Sequence, residues 1–481
     1  MAQNSTANWL RLTLESTLLP VVALALLVVF IQAGPQFAPL DRFDRRWLAI
    51  LIWALIGDMS FPWLLSMPHE IKGQSLEGRI LRDLCSLGAG MAVWFWFRMA
   101  IWKVSITVTA VRWILCSFSP VLPFLVVQAG VVLTDSSLAH AADDLLAMLR
   151  SPIQGKSYGK IFGTAPEASM LADQLLTLWI PFALASVLLG GSLFRSRLLG
   201  LRIEVLLLFS TLLALLLSQS RIGLIAMAFM GGSAWLAIFK SRGGWGNLKL
   251  LFLPLVLVFI GSIIAATGGD RLQSFIDSFG GVDSSIDEGV WSNVTRMATI
   301  TSGLSMATSY PMGVGTGAFP YMFEQSVPEW GLISPEIRAL LSGDTEYLRI
   351  ATGTDGGDIV SRLPDAKALP IRVLAELGLP GFFLLLSIWT GLVGGCWRRF
   401  MSCQQASPLK LVSLGVLLSL LAMLPLSFSI NSYVWVHWIL IAAMAARLYL
   451  PRTRTNCRTH TRAESLRAPA PHPLTNQFES E

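Results

Sequence analysis

The chain has 481 residues, of which 53% are hydrophobic and only 14% are charged, and its formal net charge is +6. Soluble globular domains have about 25% charged residues, so this composition excludes an ordinary soluble protein. The basic residues stand at the ends of long apolar runs and in the C-terminal tail, as topology determinants of membrane proteins do. The positive charge therefore does not indicate nucleic-acid binding.

Cysteine and histidine usage excludes two further classes. The five cysteines fall in apolar runs or basic segments, so no disulfide framework is expected. The five histidines are dispersed without metal-ligand spacing, and we expect neither a zinc site nor any cofactor. The N-terminus also lacks the basic flank and cleavage site of a signal peptide.

Apolar runs of about 18 or more residues predict transmembrane helices, because only helices satisfy their backbone groups within lipid. The fold class predicted is thus all-α, a polytopic integral membrane protein with about eleven transmembrane helices. The predicted spans are 17–34, 47–66, 84–102, 113–133, 172–192, 203–218, 222–239, 248–266, 371–395, 409–429 and 432–449.

The basic residues between these spans predict the orientation. With eleven spans, five basic clusters and the C-terminal tail fall on one side, which the positive-inside rule makes cytoplasmic. The connection 67–83, with Lys72, Arg79 and Arg82, is the exception on the other side. The clusters are Arg42, Arg45 and Arg46; Arg98, Lys103 and Arg112; Arg195, Arg197 and Arg202; Lys240, Arg242 and Lys249; and Arg398, Arg399 and Lys410.

The outer side then receives the polar segments 134–171 and 267–370. The second holds about a hundred residues, too many for a simple connector, and we predict a large helical periplasmic loop folded as a cap before the last three spans. The domains predicted are a transmembrane bundle over 1–266, the cap over 267–370, the last three spans over 371–450 and a disordered basic cytoplasmic tail over 451–481.

The first motif in chain order precedes the fifth span, where Glu167 follows a proline. By itself it is typical of a helix start, since glutamate is favourable in the first turn.

The second motif is Ser218-Gln219-Ser220-Arg221, where two apolar runs meet almost without a loop. Arg221 is thereby held at the outer surface, either as a planar fork of donors for phosphate oxygens or as an interfacial arginine that reaches lipid headgroups.

The third motif lies in the cap. Residues 291–309 have a helical period and contain Arg296, and they run into a turn with a proline and spaced glycines. Gly313 and Gly315 permit positive φ and close backbone approach, so they either cradle an anion or form a tight structural turn.

The fourth motif is the re-entry from the cap into the ninth span. Glu376 lies near the start of an apolar helix, where ionisable groups are costly and are functional or paired. An ion pair with Arg372, four residues earlier on the same helix face, is the alternative to catalysis.

The ordered set of motifs resembles the O-antigen ligase and polymerase family of bacterial polysaccharide assembly. The resemblance covers roughly residues 150–430. Its pieces are Gly163 to Ser169, the Ser218 to Arg221 turn, the Arg296 helix leading into Pro311-Met312-Gly313-Val314-Gly315, and Ala375 to Gly381.

The resemblance implies a metal-independent glycosyltransferase of the GT-C type at the periplasmic face of the bacterial inner membrane. Its partners would be the lipid bilayer, undecaprenyl-diphosphate-linked sugars, a chain-length regulator and a flippase. Nucleic acid is not an expected partner. The family's diphosphate-binding arginines correspond to Arg221 and Arg296, whose charge stabilises the leaving diphosphate. The further candidates for diphosphate or substrate binding are Ser218, Ser220, Arg372, Gly313 and Gly315.

One departure from the family bears on the activity. Ligases of the family carry a histidine ahead of the re-entry helix, whereas the sequence here reads Asp365-Ala366-Lys367-Ala368-Leu369-Pro370. This favours the polymerase branch, which makes exopolysaccharide, capsule or O-antigen, and leaves a carboxylate as general base. The candidates are Glu376, Glu324, Glu346 and Glu167, while the aromatic residues Trp291, Tyr321 and Trp330 either stack on sugars or pack the cap.

Two other functions stay open at this stage. One is a ligase that transfers glycan to lipid A or another acceptor. The other is a transporter of polysaccharide or lipid without chemistry, which would use ionisable residues within spans; Asp58 and Glu204 are the main cases.

Overall fold

The computed structural model describes residues 40–60, 67–68, 70–101, 104–134, 136–147, 161–163, 165, 167–194, 197–198, 200–241, 288–342, 363–403, 407–430, 433 and 435–449. The predicted spans 17–34 and 248–266, the predicted tail and Glu346 lie outside these ranges.

Within the described ranges the chain is almost wholly helical. The helices before the cap are α1 Arg42–Ser60, α2 Leu76–Ala100, α3 Val104–Cys116, α4 Leu122–Thr134, α5 Ser137–Ala147, α6 Ala168–Leu189, α7 Ile203–Ser218 and α8 Arg221–Ser241. The cap contains α9 Glu288–Ser309, α10 Phe319–Ser326, a 3₁₀ turn Glu329–Ile333 and α11 Pro335–Ser342. The remaining helices are α12 Leu369–Glu376, α13 Gly378–Ser402, α14 Pro408–Leu426, a 3₁₀ turn Ser427–Ser429 and α15 Val436–Tyr449. Two antiparallel hairpins pair β1 Glu70–Ile71 with β2 Gln74–Ser75, and β3 Arg197–Leu198 with β4 Leu201–Arg202.

Five of these helices are long and apolar enough to cross a membrane: α2, α6, α8, α13, and α14 with its following 3₁₀ turn. Large apolar side chains such as Phe209, Leu213, Ile225 and Phe229 are exposed on the outward faces of α7 and α8. Water would disfavour such a surface, whereas lipid tails would solvate it. The predicted all-α, multi-pass membrane protein is confirmed, while the number of spans stays a prediction.

The centre of the bundle is formed by α6 and α14. In their apolar 18-residue stretches, 83% and 78% of the residues are buried. Gly415 lets α14 approach α6, because a Cβ there would lie 2.3 Å from Phe182. Ser419 Oγ also donates to the carbonyl oxygen of Thr177 (2.8 Å). Thr177 belongs to a π-helical segment, Leu175–Trp179, that interrupts α6.

Two predicted spans are interrupted in the structure. The span 113–133 is divided between α3 and α4 by turns at 117–121, where Pro120 has no N–H to continue a helix. The carbonyl of Ile114 at the end of α3 instead accepts from Trp179 Nε1 (2.8 Å). The span 371–395 is divided at Leu377, and Gly378 starts α13 with φ +65°.

Basic residues from distant segments meet at one end of the bundle, here named the basic end. The Arg42 guanidinium lies 3.4 Å from the ring centroid of Tyr449, and Arg398 Nη2 donates to the same tyrosine's hydroxyl (2.8 Å). Arg98 bonds to Asp41 on the same side of α1. The sequence predicted that these segments share one side of the membrane.

The cap packs on the opposite end, here named the cap end. Its own core contains Phe319, Phe323 and Ile337, all buried, and continues onto the start of α2 through Leu76. The helix α9 lies directly on α12, because a Cβ on Gly303 would be 2.4 Å from Ile371 Cγ2. The predicted cap is helical over 288–342, and its domain boundaries stay predictions.

Candidate active site

The Ser218 to Arg221 turn has the tight geometry that its sequence predicts. Gln219 ends α7 with φ +50°, which is uncommon for a residue with a side chain. Ser218 Oγ donates to Leu215 O (2.7 Å), and Ser220 Oγ caps α8 by accepting from Gly223 N (3.3 Å). Both serines are buried, so their hydroxyls hold the turn and the partly exposed Arg221 side chain is the group presented at the first residue of α8.

The start of α6 lies against this turn. A Cβ on Gly223 would be only 2.8 Å from Ala172 Cβ, so α6 and α8 touch with almost nothing between them. Ile161 N also donates to Leu217 O (3.3 Å). Glu167 precedes α6 as the helix start that was predicted, exposed and accepting from Ser169 Oγ (3.2 Å).

A histidine–aspartate pair that the sequence analysis did not single out joins α6 to α15. His437 Nε2 is 2.7 Å from Asp173 Oδ2, and Trp438 Nε1 donates to Asp173 Oδ1 (2.8 Å). Asp173 is 1% exposed and directly follows Ala172. The pair is thus one residue away from the contact between α6 and the Arg221 helix.

Arg372 and Glu376 form the predicted ion pair, and the structure adds two partners from distant segments. Arg372 Nη2 lies 2.5 Å from Asp83 Oδ2 and its Nε lies 3.2 Å from Glu376 Oε2. Tyr433 donates to the same Glu376 oxygen (2.5 Å), and its ring lies 4.4 Å below the guanidinium. We name Asp83, Arg372, Glu376 and Tyr433 the buried ionic cluster, since the first three side chains are less than 10% exposed.

The glycine turn after α9 is fastened to the re-entry. Gly313 N donates to Tyr310 O (2.9 Å) and Gly315 N to Glu376 O (3.0 Å). A Cβ on Gly313, where φ is +102°, would lie 2.4 Å from Glu376 O. Both N–H groups thus bond within the protein, which favours the tight structural turn, and the role of Gly313 and Gly315 in binding an anion stays a prediction.

The two residues considered for a transport site lie at helix ends. Asp58, near the end of α1, accepts from Thr316 N (2.7 Å) and from the Thr316 hydroxyl. Glu204, in the first turn of α7, accepts from Leu193 N (2.6 Å) and Ser192 Oγ (2.8 Å). Each carboxylate ties a loop to a helix.

The cap residues occupy separate places. Arg296 and Glu324 are exposed, on α9 and α10. Trp330 is 44% exposed and available to a ligand, whereas the buried Tyr321 donates to Gln74 O (2.9 Å). Burial raises the pKa of Tyr321. Among the residues that the structure describes, no three of His, Cys, Asp and Glu are grouped to hold a metal ion.

The cap end therefore carries three connected features: the Arg221 turn, the His437–Asp173 pair and the buried ionic cluster. Their members come from six helices and from Tyr433. Spacing alone gave the Arg221 turn and the Arg372–Glu376 pair. The partners Asp83, Asp173, Tyr433 and His437 are distant in sequence, and no local pattern marks them.

Comparison with known proteins gives a family match over part of the chain. Residues 206–337 match a family model described as O-antigen ligase, and this region holds the Arg221 turn, Arg296 and the glycine turn. No curated protein and no solved structure matches the chain. Glycan transfer is the activity that the family implies. The resemblance seen in the sequence is confirmed over residues 206–337, and this match supports the O-antigen ligase and polymerase family without distinguishing its polymerase branch.

Proposed function

We propose that the protein polymerises oligosaccharide repeat units linked to undecaprenyl diphosphate, at the periplasmic face of the bacterial inner membrane. It would transfer a growing glycan from its lipid diphosphate onto the terminal sugar of another lipid-linked unit. The acceptor hydroxyl attacks the anomeric carbon in line with the departing diphosphate, so the anomeric configuration inverts.

The observation that carries this proposal is the position of Arg221. It is the first residue of α8, at the positive end of that helix's dipole. A helix start and a guanidinium both attract phosphate oxygens, and together they stabilise the charge that develops on a leaving diphosphate. The adjacent serines keep the turn rigid, so this arrangement exists before the substrate arrives.

Arg296 is the second proposed diphosphate ligand, carried on the cap helix α9. Its exposure leaves it accessible to a lipid-linked substrate. Arg372 differs, because Asp83 and Glu376 already neutralise it within the protein. This supports Arg221 and Arg296 as the substrate arginines and a structural role for Arg372.

Polymerisation is favoured over ligation by the sequence of the cap. Residues 267–370 contain no histidine, whereas ligases of the family carry one ahead of the re-entry helix. Ligation is the second candidate, because the matching family model is described as O-antigen ligase. A deletion strain distinguishes them: single repeat units accumulate on lipid if a polymerase is missing, and long unattached chains accumulate if a ligase is missing.

The arginine variants test the proposal directly. We expect Arg221→Ala and Arg296→Ala each to reduce polymer synthesis on the order of 10²–10³-fold, as loss of a transition-state charge partner does. Arg82→Ala is the matched control, since Arg82 is a half-exposed arginine at the same end of the bundle. Long polymer made at normal protein levels by both test variants would refute the proposed function.

The side of the cap is tested by labelling in intact cells. Gln325→Cys places a thiol on the exposed face of α10, and Arg45→Cys places one at the basic end, in a chain whose own cysteines are replaced by serine. We expect a membrane-impermeant maleimide to label the first and not the second. The reverse pattern would put the Arg221 turn in the cytosol and exclude the proposed reaction there.

A further inference from the structure

The His437–Asp173 pair has the construction of a proton acceptor and its orienting carboxylate. Asp173 is 1% exposed, and both of its oxygens are bonded, to His437 Nε2 and Trp438 Nε1. The His437 side chain is 14% exposed, and its Nδ1 has no hydrogen-bond partner among the residues that the structure describes. A carboxylate bonded to one ring nitrogen fixes the tautomer in which the other nitrogen is an acceptor.

We propose that His437 Nδ1 takes the proton from the acceptor sugar's hydroxyl, and that Asp173 positions and stabilises the resulting imidazolium. This inference rests on the proposed glycan transfer and assigns its general base.

The pair lies next to both other features of the cap end. Ala172, adjacent to Asp173, contacts Gly223, which is two residues from Arg221. Tyr433, four residues before His437, donates to Glu376 in the buried ionic cluster. The proposed base is thus connected to the diphosphate arginine through a single helix–helix contact.

The helix α6 changes from α-helical to π-helical geometry just after Asp173. The π-helical segment Leu175–Trp179 begins two residues after it, and π segments within helices occur frequently at functional sites. Thr177 Oγ donates to the carbonyl oxygen of Asp173 (2.7 Å), and Thr177 O accepts from Ser419 in α14. These bonds fix Asp173 relative to the centre of the bundle.

The reaction transfers one proton and exchanges one bond to the anomeric carbon for another. The hydroxyl proton passes to His437 Nδ1 while the hydroxyl oxygen forms a bond to the anomeric carbon of the donor sugar. The bond between that carbon and the diphosphate oxygen breaks, and its electron pair leaves with the lipid diphosphate, next to Arg221. The imidazolium then releases the proton to water, which restores the base.

The carboxylates considered from sequence fit this task less well. Glu376 is 1% exposed, and its Oε2 accepts from both Arg372 and Tyr433, so this carboxylate is engaged in an ion pair inside the protein. Glu167 and Glu324 are exposed to water, so neither side chain is held in one orientation as Asp173 holds His437. His437 differs in having Asp173 bonded to one ring nitrogen, which leaves the other nitrogen to accept the proton.

The test uses the full-length protein purified in detergent with a lipid-linked repeat unit as substrate. We expect His437→Gln to lower kcat on the order of 10²-fold or more, while KM for the lipid-linked unit stays within about threefold. The glutamine amide keeps a donor toward Asp173, so the tie between α6 and α15 remains. His140→Gln is the matched control, because it makes the same substitution at an exposed histidine of α5 outside the three cap-end features, and it should stay within about threefold of wild type.

A second measurement separates chemistry from folding. Imidazole added to His437→Ala should restore part of the activity, which no structural tie between helices would allow. Unchanged kcat in His437→Gln, with Arg221→Ala inactive, would overturn the assignment of the base and leave the proposed function standing. Loss of activity without imidazole rescue would also overturn it. If the wild-type protein extends no lipid-linked unit, the proposed function falls and this assignment with it.

Discussion

Two arginines predicted to bind substrate lie at the same end of the bundle in opposite surroundings. Arg372 is enclosed by Asp83, Glu376 and the ring of Tyr433, with 7% of its side chain exposed. Arg221 stands partly exposed at the start of a helix, next to two buried serines whose hydroxyls bond to backbone groups of the turn. The comparison shows that an arginine near the membrane surface is a poor indicator of ligand binding until its partners are known.

We expect the buried ionic cluster to contribute to stability and the Arg221 turn to contribute to the proposed chemistry. Variants that disturb the cluster should lower the free energy of unfolding. Variants in the turn should lower activity in a protein that folds normally.

The largest effect is expected for Arg372→Ala. This change leaves Glu376 buried without its cation, while Asp83 keeps Arg79 at 3.5 Å, and we expect a loss of about 3–5 kcal/mol. Thermal unfolding in detergent measures it, with Arg45→Ala, at an exposed arginine of α1, as a control expected to change stability by no more than about 0.5 kcal/mol. Equal melting temperatures for the two variants would contradict the assigned structural role.

The next effect is expected where the glycine turn meets the re-entry. Gly378→Ala puts a Cβ 2.2 Å from the Met312 carbonyl carbon at φ +65°. Left-handed strain and overpacking together should destabilise the protein by about 2–4 kcal/mol. Gly394→Ala in the same helix meets nothing within 4 Å and should not destabilise it. Similar melting temperatures for Gly378→Ala and Gly394→Ala would contradict the expected strain at Gly378.

A smaller loss of stability should follow Tyr433→Phe. The ring beneath Arg372 is kept, and only the hydroxyl that donates to Glu376 is lost. A buried hydrogen bond to a charged group contributes about 1.5–3 kcal/mol. Melting of Tyr433→Phe alone, and combined with Glu376→Gln, checks this: if the two losses simply add, Tyr433 does not act through Glu376.

The smallest effect is expected for Arg221→Lys. The ammonium keeps the charge and loses the planar fork, so we expect an activity loss of roughly tenfold, well short of the alanine variant's, and an unchanged melting temperature. Polymer length in cells tests the expected activity loss, and thermal melting of the purified protein tests the unchanged stability. A lowered melting temperature would move Arg221 into the same structural class as Arg372 and remove the contrast.

Much of the fold could be predicted from local sequence. The apolar runs gave the helices of the bundle, and the absence of a loop between Ser218 and Arg221 gave the turn. The spacing of Arg372 and Glu376 gave their ion pair, because residues four apart share a helix face. Each of these rests on neighbours along the chain.

The rest depends on contacts that no local pattern contains. Arg372 meets Asp83 across 289 residues, and His437 meets Asp173 across 264. Dispersed histidines gave no reason to connect His437 with a carboxylate. The break between α3 and α4 was missed for a related reason, since Pro120 interrupts a run whose hydropathy continues on both sides.

The contact between the backbones at Gly313 and Gly378 would limit how the product of the proposed polymerisation leaves the protein. Val314 N, Gly315 N and Leu379 N each donate across it, to Ala375, Glu376 and Pro311 (2.8–3.0 Å), and no side chain lies between the two backbones to repack. The end of α9 and the start of α13 must therefore shift as one body. We therefore expect the cap not to hinge at this joint, so that the growing glycan of the proposed reaction leaves along a fixed surface.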